Sequence, residues 1–336
     1  MEHSCVRLDD LPDEILLIIF QKLNNCDVLY SFMGLNERLD TILYDKIFTI
    51  NLSLIKYVHG SSYQFNIILD RFSLEILPKI NDKIERLSIE SSFIKRILLA
   101  TNYPNLHALD LYEFEPETAS TLFRGKIFFF YTLSMITYTS IHGPIIDGDN
   151  LENNIINHMT RLNKFTFNIC SVISLNQLIN VPLNEDIKYS FRNFQNNQII
   201  SSVDYFSRAG LLYCHVYSYP YTWTFYHNIA NNFPGGLFKC VREISLYDDR
   251  PFEHDFFLRI TQSFPFVKKL TIHNYEPQHN NHLEQPIIKY SHLVEIDLVK
   301  THEDYLDEFL NKAKICLLND VNLRVGYNSL KKITIY

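Results

Sequence analysis

One short string returns along the chain and constrains the fold more than any other feature: apolar-x-x-apolar-x-apolar. It reads I84-E-R-L87-S-I89, L106-H-A-L109-D-L111, L162-N-K-F165-T-F167, V241-R-E-I244-S-L246, V267-K-K-L270-T-I272, L293-V-E-I296-D-L298 and L330-K-K-I333-T-I335. Starts at 84 and 106 are 22 residues apart, and those at 241, 267 and 293 are 26 apart; the longer gaps from 106 to 162 and from 162 to 241 leave room for worn copies. A repeat of this size cannot bury its apolar face alone, so neighbours must stack. Alternation within the string predicts a strand. Helix-like spacing in E-H-D-F-F-L-R-I-T-Q-S-F (Glu253 to Phe264) and from Ser91 to Ala100 predicts a helix between strands. Prolines in Y103-P-N-L106 and F264-P-F-V267 end one element just before the next. The resulting fold class is α/β, a solenoid of parallel strands alternating with helices; an ordinary α/β domain is the alternative.

Composition narrows the function. With 46% hydrophobic and 14% aromatic residues the chain buries a large core, and 9 glycines with 12 prolines suit regular repeating elements. The net charge of −7, with no basic run, argues against nucleic acid as partner. Cys5, Cys26, Cys170, Cys214, Cys240 and Cys316 form no C-x-x-C pair, so scattered reduced thiols are expected. The apolar run Ile15 to Phe20 is too short to span a bilayer and follows acidic residues, so an intracellular protein without a membrane partner is expected.

The N-terminal segment reads L-D-D-L-P-D-E-I-L-L-I-I-F-Q-K-L from Leu8. Pro12 in a first turn, with Asp13 and Glu14 complementing the helix dipole, predicts a helix from about Pro12 to Leu23. Ile15, Leu16, Leu17, Ile18, Ile19 and Phe20 surround it with apolar side chains, so one supporting layer cannot bury them all. Helices from Cys26 to about Gly34 and from Asn36 to Tyr44, with Asn36 as N-cap, follow. Three helices in about 40 residues seldom make a self-sufficient core, which calls for a protein partner.

L-P-D-E-I-L-x-x-I-F-x-x-L, then D27-V-L29 and N36-E-R-L39, resembles the F-box over roughly residues 8 to 50. The resemblance implies a small three-helix domain (1–50) that docks on a Skp-type adaptor and through it on a cullin. By motif position, Leu11, Pro12, Glu14, Ile15, Ile19, Phe20, Leu23 and Leu29 are the adaptor-facing set. Leu39 departs from the family, where a tryptophan is common. The strings after residue 80 resemble a leucine-rich-repeat array, implying a recognition domain over 81–336 joined by a helical segment over 51–80. Here the ninth repeat position holds Ser92, Phe114, Asp249, Tyr275 and Thr301 where that family favours Asn or Cys, and only Cys170 conforms.

If the leucine-like positions face the core, the intervening residues line the hollow side. That surface carries Arg86, Ser88 and Glu90; Asp110 and Tyr112; Lys164 and Thr166; Glu243, Ser245 and Tyr247; Lys269, Thr271 and His273; Glu295 and Asp297; and Lys332 and Thr334. Mixed charge with tyrosine suits a protein cargo rather than a small molecule. For any one residue the plainer reading is a solvated sheet face. Tyr217-x-Tyr219-Pro220-Tyr221-x-Trp223-x-Phe225-Tyr226 is either a recognition loop or core. His273, His279 and His282 with Glu276 have no metal-site spacing, D147-G-D-N150 lacks the other ligands of a calcium loop, and no phosphate loop, G-x-S-x-G or H-E-x-x-H occurs. Neither catalysis nor a cofactor is therefore expected. The leading expectation is a non-catalytic substrate receptor of a cullin-type ubiquitin ligase; the alternatives are an interaction scaffold capped by its helical segment, or an enzyme on an α/β fold.

Overall fold

A computed structural model of the chain describes residues 8–55, 62–113, 131–139, 145–159, 161–177, 183–194, 198–279 and 286–326. The string at 330–335 with Lys332 and Thr334, and also Cys5, Phe114 and His282, lies outside the described residues. Two compact units emerge: residues 1–140, 144–171 and 189–194 form the first, and 141–143, 172–188 and 195–336 the second.

The first unit opens with helices α1 (Asp13–Phe20), α2 (Asn25–Phe32), α3 (Glu37–Leu43) and α4 (Lys46–Thr49). Their starts are locally encoded. Asn24 caps α2 by accepting from the Cys26 N–H (2.8 Å), and Asn36 caps α3 by accepting from the Leu39 N–H (2.8 Å). Pro12 stands one residue before α1, where its missing N–H costs nothing. Strand β1 (Asn51–Leu54) follows, then α5 (Ser62–Arg71), a π turn (Phe72–Ile76) and α6 (Leu77–Ile80). The segment from 51 to 80 is thus not simply the helical connector expected, because its first four residues are sheet.

Strands β1, β2 (Arg86–Glu90), β3 (Ala108–Tyr112), β4 (Thr132–Thr139) and β5 (Lys164–Ser174) pair in parallel in sequence order. Between β2 and β3 runs α7 (Ile94–Leu98); α8 (Gly148–Asn154) precedes β5, and α9 (Asn184–Ser190) comes after it. The register stacks Leu52, Leu87, Leu109, Leu133 and Phe165 in one buried row and Leu54, Ile89, Leu111, Met135 and Phe167 in the next. Each of β2, β3 and β5 starts two residues after the first apolar residue of its string. The sequence pattern missed β1 because that first position is Thr49, which is nonetheless fully buried.

The second unit begins with an antiparallel hairpin, β6 (Gln198–Phe206) and β7 (Leu211–Tyr219), turned by Gly210 at φ 63°, a value few residues but glycine adopt readily. In the stretch where the gaps left room for worn copies, β4 and β5 continue the parallel array and this hairpin interrupts it. Parallel pairing then resumes through β8 (Phe225–Ile229), β9 (Glu243–Tyr247), β10 (Lys269–Asn274), β12 (Glu295–Thr301) and β14 (Asn322–Val325). Helix α10 (His254–Ser263) lies between β9 and β10 as the Glu253–Phe264 pattern predicts, and α11 (Asp304–Leu310) follows β12. A separate short parallel pair joins β11 (Ile288–Tyr290) to β13 (Ile315–Leu317).

Both units enter their strands in one way: a carbonyl before one strand accepts from two successive N–H groups of the next. Glu85 O receives His107 and Ala108 N–H (both 3.1 Å), and Arg242 O receives Lys268 and Lys269 N–H (2.7 and 3.0 Å). Strand exits are closed by buried polar side chains. Asn274 Nδ2 donates to Arg250 O (2.7 Å) while its Oδ1 accepts from Glu276 N–H (2.9 Å). Asp248 accepts from Asn231 N–H (2.8 Å) and Arg250 N–H (2.9 Å), and Ser91 Oγ donates to Glu113 O (2.7 Å). These side chains hold the eighth repeat position, one before the expected ninth. Thr301 at the ninth position is level with Asn274 because β12 carries an extra residue against β10.

Candidate functional site

Two surfaces of the described residues answer to the sequence expectations: the outer side of α1, and the polar faces of the parallel strands. Leu16 and Phe20, four residues apart, turn inward, and the Phe20 ring stacks on Phe32 (4.8 Å between centroids) and meets Phe48 edge-on (6.3 Å). Phe20 and Leu29 are therefore core, correcting their assignment as docking residues. Leu39 is also buried. Ile15, Ile18, Ile19 and Leu23 remain 37 to 53% exposed. Glu14 and Pro12 are exposed beside them, while Leu11 is half-buried. Arg38 braces this end, its Nε donating to Asp13 Oδ1 (2.7 Å) and its Nη2 to Leu11 O. Ile18 is the contributor the motif reading left out; its spacing of three from Ile15 was the signal.

The strand faces alternate as expected, with one correction. Glu90, expected on the hollow side, is buried, because the chain leaves β2 there for a 3-10 turn over Ser91–Phe93. The other candidates Arg86, Asp110, Tyr112, Glu243, Tyr247, Lys269, His273, Glu295 and Asp297 are half-buried, and Lys164 is exposed. Many are paired within the face. Arg86 Nη1 reaches both Asp110 oxygens (2.9 and 3.1 Å), and Ser88 Oγ donates to Asp110 Oδ2 (2.9 Å). Lys269 pairs with Glu243 (3.1 Å) and Arg324 with Asp297 (2.9 Å). Burial, then Asp110, raises the Tyr112 phenol, against the lowering pull of Arg86; burial, then Asp249 and Asp248, raises Tyr247. Burial and then Lys300 lower His273, against Asp297. At neutral pH these three rings are uncharged hydrogen-bonding groups.

The aromatic stretch is mostly core, with Tyr219 exposed and Phe225 half-buried. Tyr217, Tyr221, Trp223 and Tyr226 are buried, Tyr221 OH donates to Phe225 O (2.7 Å), and the rings gather around Phe238 with Phe233 and Phe264. Against this cluster sits His215, whose ring lies 4.9 Å from Tyr226; burial, and then His227, push it down to about 3. Asp204 is buried too and is pushed up to about 6 by desolvation, with Asp248 adding to the rise and Asn232 and Arg250 opposing it. A second buried polar knot ties α10 to α11: His254 Nδ1 meets Glu308 Oε1 (2.6 Å), His254 Nε2 meets Pro286 O (2.9 Å), and Lys314 Nζ reaches Glu308 Oε2 (2.9 Å).

The remaining motifs resolve into local structure. Asp147 caps α8 by accepting from the Asn150 N–H (2.8 Å), which accounts for D147-G-D-N150. His279 pairs with Glu253 (2.8 Å) and Glu276 with Arg208, so the histidine-rich segment divides between different partners. Among the described residues no three His, Cys, Asp or Glu side chains form a metal-sized group, and no helix is long and apolar enough to cross a membrane. Cys26, Cys170 and Cys214 are buried thiols, Cys240 is exposed, and burial pushes Cys26 up to about 12. No protein-family model and no curated protein matches this sequence.

Proposed function

We propose that the protein is a non-catalytic substrate receptor of a cullin-type ubiquitin ligase, with α1–α4 docking on a Skp-type adaptor and the strand faces holding a protein cargo. The observation that carries this reading is the two-sided helix α1. Its inner stripe, Leu16 and Phe20, is core, while Ile15, Ile18 and Ile19, with Leu23 just beyond the helix, form an apolar stripe left 37 to 53% exposed. Burying an exposed aliphatic side chain of this size completely contributes about 1.5–3 kcal/mol, and about half of that remains to be gained at each of these positions, so the stripe is worth covering in a complex. The reading of the strands as leucine-rich repeats is supported by spacings of 22 to 26 residues, the shared strand entry and the polar side chains at strand exits. In such a receptor rate enhancement comes from holding cargo near the transferring enzyme.

The test is co-purification of the full chain with a Skp-type adaptor, beside an Ile15→Asp, Ile19→Asp variant. Both side chains are exposed, so the variant is expected to fold and to lose the complex. A complex of undiminished strength would sink the reading. A second reading, the helical segment as a cap, is favoured by the packing of α2 and α4 on β1 and by Cys26 Sγ donating to Ser53 O (3.2 Å). Deleting residues 1–50 distinguishes a cap: the cap reading requires hydrogen exchange in β1 and β2 to accelerate, and unchanged protection would exclude it.

A further inference from the structure

Between the α2–α3 turn and the π turn of the first unit lies a groove of about 510 Å³ lined by Met33, Gly34, Arg71, Leu74, Glu75, Ile76, Pro78 and Lys79, with Glu75 the one acid among them. Its shape is locally enforced. The chain leaves α2 through Gly34 at φ 85°, a conformation glycine adopts without strain, and Asp40 holds that turn by accepting the Gly34 N–H (2.6 Å). Arg71 ties the opposite wall to it: Nη2 donates to Met33 O (2.8 Å), Nη1 to Tyr30 O, and Nε faces Glu75 (3.3 Å). Its guanidinium is thereby consumed as a brace.

What the groove leaves over points to a ligand. The π turn, a local widening of the helix often found where function needs it, keeps Phe72, Ser73 and Ile76 inside. It also turns Leu74 outward to 75% exposure, more than any other large apolar side chain described. Met33 and Ile76 form an apolar floor. The Lys79 ammonium stands over the turn, 3.6 Å from where a Cβ on Gly34 would lie, and makes no ion pair among the described residues. An apolar floor and wall beside one uncompensated cation complement an aliphatic side chain next to a carboxylate. A single lysine with Glu75 close by is poorly suited to a polyphosphate backbone, which needs several cations.

We propose that this groove seats a short peptide segment of a partner protein, in which an aliphatic side chain packs on Leu74 and an adjacent carboxylate pairs with Lys79. The site lies apart from the strand faces, and the proposal does not depend on the docking role given to α1. The experiment is selection of a random nonapeptide display library on the immobilised full chain, followed by fluorescence anisotropy of the enriched peptide. Lys79→Glu and Leu74→Asp are compared with the natural sequence, each checked for unchanged thermal melting, since both side chains are on the surface. Expected is a consensus pairing an aliphatic residue with Asp or Glu, about 10-fold weaker binding to either variant, and recovery of binding to Lys79→Glu when the peptide's acid is replaced by lysine. Failure to enrich any consensus, or an enriched peptide that binds both variants as tightly as the natural chain, overturns the proposal.

Discussion

The two parallel sheets follow the same strand plan and differ in what is packed around it. In the first unit, β1 to β4 stack leucine, isoleucine and methionine in even rows, and the polar face is mostly small hydroxyls, Ser53, Ser88, Ser134 and Thr132, around one ion pair. In the second, the rows of β9, β10 and β12 are aliphatic too, but the core adds aromatic clusters at Tyr226, Phe238 and Phe264 and again at Phe252, Phe257 and Tyr305. Its face is charged, and among the described residues the second unit buries Asp204, His215, Asp248, His254 and Glu308, against Glu90 in the first. The first unit keeps an unbroken register from β1 to β5 even where Phe165 and Phe167 enter the rows, whereas the second sheet carries register shifts at Tyr226/Ile229 and, between the aliphatic rows of β10 and β12, at Thr271/His273. The lesson is that one repeat pattern places the strands, while the regularity of the stack does not follow from the size of the buried side chains alone.

The largest expected effect tests whether the aromatic cluster supports its own unit. Phe238→Ala removes a ring in contact with Tyr217, Tyr221, Tyr226, Phe233 and Phe264, at a cost of about 3–5 kcal/mol. Hydrogen exchange read strand by strand is expected to accelerate most in β8 to β10. Equal acceleration in β2 and β3 would break the distinction between two cores.

A second difference is acid response, and in the second unit it is concealed by two opposing groups. His215, lowered from 6.5 to about 3, takes up its proton only on unfolding, so it lowers stability as pH falls, by about 3 kcal/mol between pH 7 and 4. Asp204, raised from 3.8 to about 6, is protonated more readily when folded, so it raises stability by about 2 kcal/mol over the same fall. Over this range the two contributions largely offset each other. Asp204→Asn is expected to unmask the loss of about 3 kcal/mol on acidification, while His215→Phe, which keeps a ring against Tyr217 and Tyr226, is expected to leave a gain of about 2 kcal/mol. Urea titrations at pH 7 and pH 4 measure both. Slopes of the same sign in the two variants would show that one of the two burial effects is misassigned.

Much of this architecture was legible in the residues themselves. The recurring string placed β2, β3, β5, β9, β10 and β12, each beginning at its third residue, because alternation is a local property of the chain. Asn36 as a cap and the helix after Glu253 were equally local. Strands whose strings were damaged escaped notice: β1 starts its string with Thr49, β14 with Asp320, and β8 has Trp223 and Tyr226 where leucines were sought. Those strands are held by parallel pairing with β2, β12 and β9.

What the sequence determined alone was therefore periodic: strand direction, the order of elements, and the split of each strand into a buried and a polar side. Tertiary structure decided what periodicity cannot express. It chose which stripe of the evenly apolar helix α1 became core, burying Leu16 and Phe20 and leaving Ile15, Ile18 and Ile19 outside, since only packed neighbours distinguish one side of such a helix from another. It placed the polar strand-exit residues one position early, because hydrogen bonds to the adjacent turn, not residue counting, satisfy a buried amide. And it turned the aromatic stretch from Tyr217 to Tyr226 inward, because rings spread along one segment find their greatest burial only when Phe233, Phe238 and Phe264 arrive from farther along the chain.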